Sequence, residues 1–81
     1  MAKIKITLST GRKVTLKQPD VLEDCDKEKE VTLVFNNGEM FTGFFVKLDE
    51  GEDDDIVILK KNGSMFNAGF PYNRLIGWFY S

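Results

Sequence analysis

No histidine occurs in this 81-residue chain, and its one cysteine is Cys25. Those absences remove Ser-His-Asp and Cys-His catalysis, together with zinc sites of the usual kind. Carboxylates, lysines and tyrosines remain, on elements with little room for a cleft. The chain therefore reads as a non-enzyme, with no cofactor and no metal. Its densest cluster is Asp49-Glu50-Gly51-Glu52-Asp53-Asp54-Asp55. A calcium loop of the EF-hand type needs glycine at its sixth position and glutamate at its twelfth. Counted from Asp49, those positions hold Asp54 and Lys60, so the stretch reads as a solvated acidic loop. A second cluster, Tyr72-Asn73-Arg74, sets an aromatic ring beside a guanidinium, a combination able to stack on a base and contact a phosphate. The alternative is that Tyr72 packs beneath the acidic loop and Arg74 pairs with a carboxylate there.

The elements that must position these residues are strands. Val31, Leu33 and Phe35 alternate with Thr32, Val34 and Asn36, the period of a strand with one buried face. Asn37-Gly38 follows as a hairpin turn, since both residues tolerate positive φ. The second arm, Glu39 to Leu48, is long and carries Gly43, which marks a bulge or bend of the kind a small barrel needs. Ile56 to Leu59 is a short, buried, β-branched run, and Lys60-Lys61-Asn62-Gly63 is a second turn. Ser64 to Phe70 is the next strand, stopped by Pro71, which cannot donate to a ladder. Leu75 to Tyr80 is the last strand.

Upstream, Lys3 to Lys17 reads as an N-terminal hairpin with one apolar face (Ile4, Ile6, Leu8, Val14, Leu16) and one lysine-rich face. That lysine face is either a phosphate-contacting surface or a solvated guard on an edge strand; the lack of interleaved aromatics favours the guard. From Asp20, about two turns of helix are expected, with Asp20 as N-cap and Glu23 as its capping-box partner. Cys25 reads as a half-buried apolar residue whose acidic neighbours raise its pKa.

The spacing of Asn37-Gly38, Gly43 and Asp49, continued through Ile56 to Ser64 and through Pro71 to Trp78, resembles the Sm-like proteins. That family holds the Sm and LSm proteins and the bacterial RNA chaperone Hfq. The resemblance covers roughly the last fifty residues. It implies an all-β, SH3-like, five-stranded bent barrel over residues 31–80, with the hairpin of residues 1–18 added and a short helix within residues 20–29, all in one domain. It also implies a homo-oligomeric ring that binds single-stranded nucleic acid, RNA before DNA. Tyr72, Asn73 and Arg74 align with the family's Tyr-Lys-His turn at the pore. Asp55 is the best match to its base-binding residue, often Asn. Here that loop is about two residues longer and acidic, so it repels phosphate while still accepting hydrogen bonds from a base edge. Lys60 and Lys61 join Arg74 as phosphate contacts.

In such rings the last two strands of neighbouring subunits pair. The consecutive aromatics Trp78, Phe79 and Tyr80 give the final strand two apolar faces, which an edge strand with one wet face would lack. Met65, Phe66, Phe70, Trp78, Phe79 and Tyr80 are thus the expected subunit interface. The other arrangement has the terminal aromatics packing on the N-terminal hairpin.

A net charge of −2 conceals segregation: residues 1–20 carry +4, residues 21–55 carry −9, and residues 56–81 carry +3. A local basic footprint is compatible with that pattern. A chain this short buries only about 60% of its unfolded surface, which makes oligomerisation a common remedy. No apolar run approaches the ~20 residues of a membrane span, and a lone cysteine suits a reducing compartment, so a cytoplasmic protein is expected. The rival to nucleic-acid binding is a structural or adaptor module on the same barrel, motivated by the acidic loop and net acidity.

Overall fold

The structure, a computed structural model, describes residues 4–61, 63 and 65–81. Its strands are β1 (Lys5–Thr7), β2 (Lys13–Thr15), β3 (Glu30–Phe35), β4 (Met40–Asp49), β5 (Ile56–Lys60), β6 (Asn67–Pro71) and β7 (Leu75–Tyr80). The protein is all-β. β1 and β2 form a separate antiparallel pair, and the rest form one sheet in the order β6-β5-β4-β3-β7. Lys3, Asn62 and Ser64, parts of the expected hairpin, turn and strand, lie outside the described residues.

β3 is the middle of the molecule. The alternation there predicts one buried face, yet Val31 to Phe35 are all buried. Val31, Leu33 and Phe35 enter the main core with Leu22, Phe45, Val57, Leu59, Leu75 and Trp78. On the opposite face, Val34 joins Val14, Leu16 and Phe79 in a second cluster. The N-terminal hairpin is therefore a lid on the back of the sheet, and its apolar face is what closes that side. Thr32, a polar side chain buried there, is satisfied by hydroxyl contacts to Thr42 at 2.8 Å and Ser81 at 2.7 Å. Burial without those partners would cost ~1–3 kcal/mol.

Two bulges set which residues reach the main core. Phe45 pairs with Leu59 and Lys47 with Ile58, so Val46 is the extra residue of β4. On the other side of β3, Val34 pairs with Gly77 and Phe35 with Leu75, leaving Ile76 extra in β7. Residues three apart, Phe45 with Leu48 and Leu75 with Trp78, consequently face the same core, which an unbroken strand would forbid. Of the bulge or bend expected at Gly43, the ladder shows no bulge, since Gly43 pairs with Val31 in unbroken register. A side chain there would meet the Lys60 carbonyl at 3.0 Å, so Gly43 permits close approach of β5. The sheet curls far enough that Phe70 on β6 touches Phe35 on β3 and Phe41 on β4, at ring separations of 5.7 and 4.5 Å. Its two edge strands are not paired with each other.

The turns obey a different rule from the one the Asn-Gly pair suggests. Gly38 has φ +87°, while Asn37 keeps negative φ. Gly38 N donates to the Phe35 carbonyl, and Phe35 N to that of Glu39. This is a three-residue loop, a tight turn closed by a left-handed glycine. Leu8, Gly11 (φ +89°) and Arg12 repeat the same bonds in the first hairpin.

The expected helix is a single 3-10 segment, Pro19–Asp24, entered from Gln18 with no side-chain cap. Pro19 supplies the fixed φ of a first helical residue, displacing Asp20 from the capping position. Leu22 from this segment plugs the core at 1% exposure. β6 begins at Asn67, leaving Met65 and Phe66 in the preceding loop, and it ends at Pro71 as expected. No helix among the described residues is long and apolar enough to cross a membrane.

The lid is fastened where Gly77 meets Leu16: a side chain at Gly77 would come within 2.6 Å of Leu16 Cβ and 3.0 Å of the Lys17 carbonyl. Gly77→Ala is expected to cost about 1–3 kcal/mol through overpacking, lowering Tm by roughly 4–8 °C per kcal/mol. Thermal unfolding checks it. An unchanged Tm would mean that the hairpin does not seat on β7.

Candidate nucleic-acid interface

Pro71 ends β6 and Tyr72–Arg74 form one 3-10 turn into β7. Tyr72 N donates to the Asp55 carbonyl at 2.9 Å, extending the β5–β6 ladder by one rung, so Asp55 and Tyr72 are neighbours. The tyrosine ring is half-buried against the main core. Desolvation raises its pKa first, and the carboxylates of Asp20, Glu23 and Asp55 raise it further. The phenol thus stands among negative charges from two elements, a poor place for phosphate. Asn73 is exposed.

Arg74 belongs to a different surface. Its carbonyl accepts from Asn36 N at 2.9 Å, which ties the turn after β3 to the turn before β7. Its side chain borders a hollow with Phe35, Asn37, Glu39, Phe41, Phe70 and Pro71. Phe41 and Phe70 then continue into an adjoining groove of about 520 Å³ with Met40, Thr42, Leu59, Ala68 and Lys61. That volume falls within the roughly 300–1,000 Å³ of ligand clefts. Met40 and Thr42 lead on to a third hollow edged by Arg12. Among the described residues, three cations, Arg12, Lys61 and Arg74, and one carboxylate, Glu39, line this strip of neighbouring hollows, with Arg12 at its hairpin end. Its floor is aromatic. Phe41 is 36% exposed and lies 4.5 Å from Phe70, with buried Phe35 packed edge-on beneath it at 5.7 Å.

The residues expected to act together are therefore divided. Asp55 and Tyr72 share the acidic side, and Arg74 and Lys61 lie along the aromatic strip. Lys60 is exposed at the far end of β5, paired with Asn67. At ~3.3 Å per residue, the five-residue β5 separates Lys60 from Asp55 by roughly 16 Å. Arg74 makes no ion pair among the described residues. Sequence reasoning missed Phe41, Met40 and Arg12. The available signal was the pair Met40-Phe41 directly after a turn, at the exposed start of β4, where a wet strand face should be polar.

The expected interface residues also part company. Met65 and Phe66 are 92% and 83% exposed, and Phe70 is half-buried on β6. Trp78 and Phe79 lie inside, Trp78 in the main core and Phe79 under the lid. Moreover, Lys17 bridges the outer edge of β7 at Trp78, with backbone bonds of 2.8 and 3.2 Å, and Trp78 Nε1 donates to the Gln18 carbonyl at 2.9 Å. Strand addition at that edge would have to displace Lys17. Tyr80 is half-buried, its hydroxyl accepts from Asp26 N at 2.9 Å, and the ammonium groups of Lys17 and Lys29 stand 5.8 and 5.6 Å from its ring.

In the acidic loop, Asp49 faces Lys47 at 3.7 Å in an exposed contact, a type worth ~0–1 kcal/mol. Among the described residues, no three carboxylate or thiol side chains gather as a cation site. Cys25 is buried, and burial is the main cause of its raised pKa; Asp26 adds to it and Lys27 opposes it.

The Tyr72 environment has a pH signature. Because the folded state holds the phenol proton more tightly than the unfolded chain, its contribution to stability is intact below the ordinary tyrosine pKa of ~10 and is lost as pH rises beyond it. Alkaline absorbance titration, differenced against Tyr72→Phe, should place Tyr72 above the ordinary value, and Asp55→Asn should move it downward. A midpoint at or below the ordinary value would contradict this packing.

Compared with known proteins, the chain matches no family model, no curated protein and no solved structure.

Proposed function

We propose that the chain binds single-stranded nucleic acid, RNA before DNA, without catalysis, on the aromatic strip between Arg74, Lys61 and Arg12, and that its curled sheet is a small barrel of the Sm-like kind. The observation that carries this reading is the Phe41–Phe70 pair, one ring exposed and one half-buried, set among three cations and one carboxylate of the described residues in a protein of net charge −2. A base stacked on such a ring gains ~1–3 kcal/mol whatever its identity. Cations beside it meet the backbone and make binding salt-dependent. The site moves from the Tyr72 side of the turn to the Arg74 side, because the carboxylates gathered around Tyr72 repel phosphate.

A second reading is an adaptor that engages a basic protein partner through residues 49–55, which are all exposed.

Fluorescence anisotropy with a short uridine-rich oligonucleotide separates the two. Arg74→Ala should weaken binding and reduce the salt slope by about one. Phe41→Ala should cost ~1–3 kcal/mol with the slope unchanged. Lack of binding at low salt, or indifference to both substitutions, overturns the nucleic-acid reading, and recovery of one stoichiometric protein partner free of nucleic acid supports the adaptor.

A further inference from the structure

β6 pairs with β5 on one side, and among the described residues nothing pairs with its other side. The Tyr72–Asp55 hydrogen bond sets the phase of the β5–β6 ladder. Val57 with Phe70 and Leu59 with Ala68 are then the hydrogen-bonded pairs, so the amide and carbonyl groups of Asn67 and Gly69 face outward. This edge lacks the usual protection. Asn67-Ala68-Gly69-Phe70-Pro71 contains no charge, and its proline stands only at the end. The opposite edge of the sheet is already closed at its centre by Lys17.

The hairpin that carries β6 is also electrically polar along its length. Lys60 and Lys61 stand at its tip, while the acidic loop from Glu52 to Asp55 lies against Gly69, Phe70 and Pro71 at its base. We propose that a second copy of this chain docks on β6, antiparallel about a two-fold axis at Gly69, joining the two sheets edge to edge. Antiparallel pairing lays the lysine tip of each copy beside the acidic loop of the other, whereas parallel pairing sets like charge against like. Asn67 falls opposite Pro71 of the partner subunit and donates to its carbonyl, and Gly69 pairs with its own counterpart through two bonds. Phe66, among the most exposed side chains of the molecule at 83%, continues past Asn67 toward Tyr72 of the partner subunit. The contact is isologous, so it closes at two copies. It does not rest on the nucleic-acid reading.

Sedimentation velocity and native mass spectrometry of the full chain across a concentration series test it. The expected result is a monomer–dimer equilibrium with no larger closed species, weakened by added salt. The double reversal Lys60→Glu with Lys61→Glu should raise the dimer Kd about tenfold, and adding Asp53→Lys with Asp54→Lys should restore it. Asn67→Pro, which deletes an outward donor in each copy, should raise Kd about tenfold or more. If circular dichroism shows that Asn67→Pro does not fold, the charge-reversal pair decides. A monomer at all concentrations, a ring, or a dimer indifferent to the reversals overturns the proposal.

Discussion

Trp78 is the point on which the structure depends. Its backbone is bonded to Lys17, its indole donates to the Gln18 carbonyl, and its ring is buried in the main core at 1% exposure. One residue thereby links the sheet, the core and the segment that connects the lid to the 3-10 plug carrying Leu22. A five-stranded sheet in 81 residues has too few elements to cover both faces by curling alone. The chain solves this with a second, smaller layer whose position is fixed by that junction and by the missing side chain at Gly77. Residues 4–18 are thus structural to the back of the sheet, an integral layer that covers Val34 and Phe79.

Much of this was legible. The strand through Val31 to Phe35, the glycine after Asn37 and the proline stop at Pro71 each have a local cause, and local causes survive folding. What escaped was set by distant partners. Three consecutive aromatics predict two apolar faces, and two apolar faces there are. Whether the second face meets the chain's own hairpin or another subunit is not encoded in the strand itself. The bulges at Val46 and Ile76 escaped for the same reason, since ladder register is decided by both strands. The helix expected from Asp20 gave way to Pro19, whose ring selects its own start. At the candidate site, Arg74 was visible as a cation, but its separation from adjacent Tyr72 was not. A single turn sends the two side chains to surfaces of opposite charge.

That polarity shapes how the molecule presents itself. Carboxylates crowd the loop from Asp49 to Asp55 and the segment around Tyr72, while among the described residues the aromatic strip meets the one carboxylate of Glu39. With a Debye length of ~8 Å at physiological salt, the two sides are nearly independent surfaces on a body 33 × 30 × 23 Å in extent. A modest net charge then says little about what either side attracts.

The bulges carry a consequence for how this sequence tolerates change in length. A β-strand is a two-phase code, and an extra residue shifts the phase for everything downstream. At Val46 and Ile76 the shift is built in, so removal of either residue would restore a regular ladder with Phe45 and Leu48, or Leu75 and Trp78, two apart and still on one face. Deletion of a regularly paired residue elsewhere in β4 or β7, by contrast, exchanges the inside and the outside of the strand beyond it. A one-residue gap at either bulge is therefore closer to one in a turn, where the loop resets the phase of the flanking strands, than to one in the paired stretch beside it.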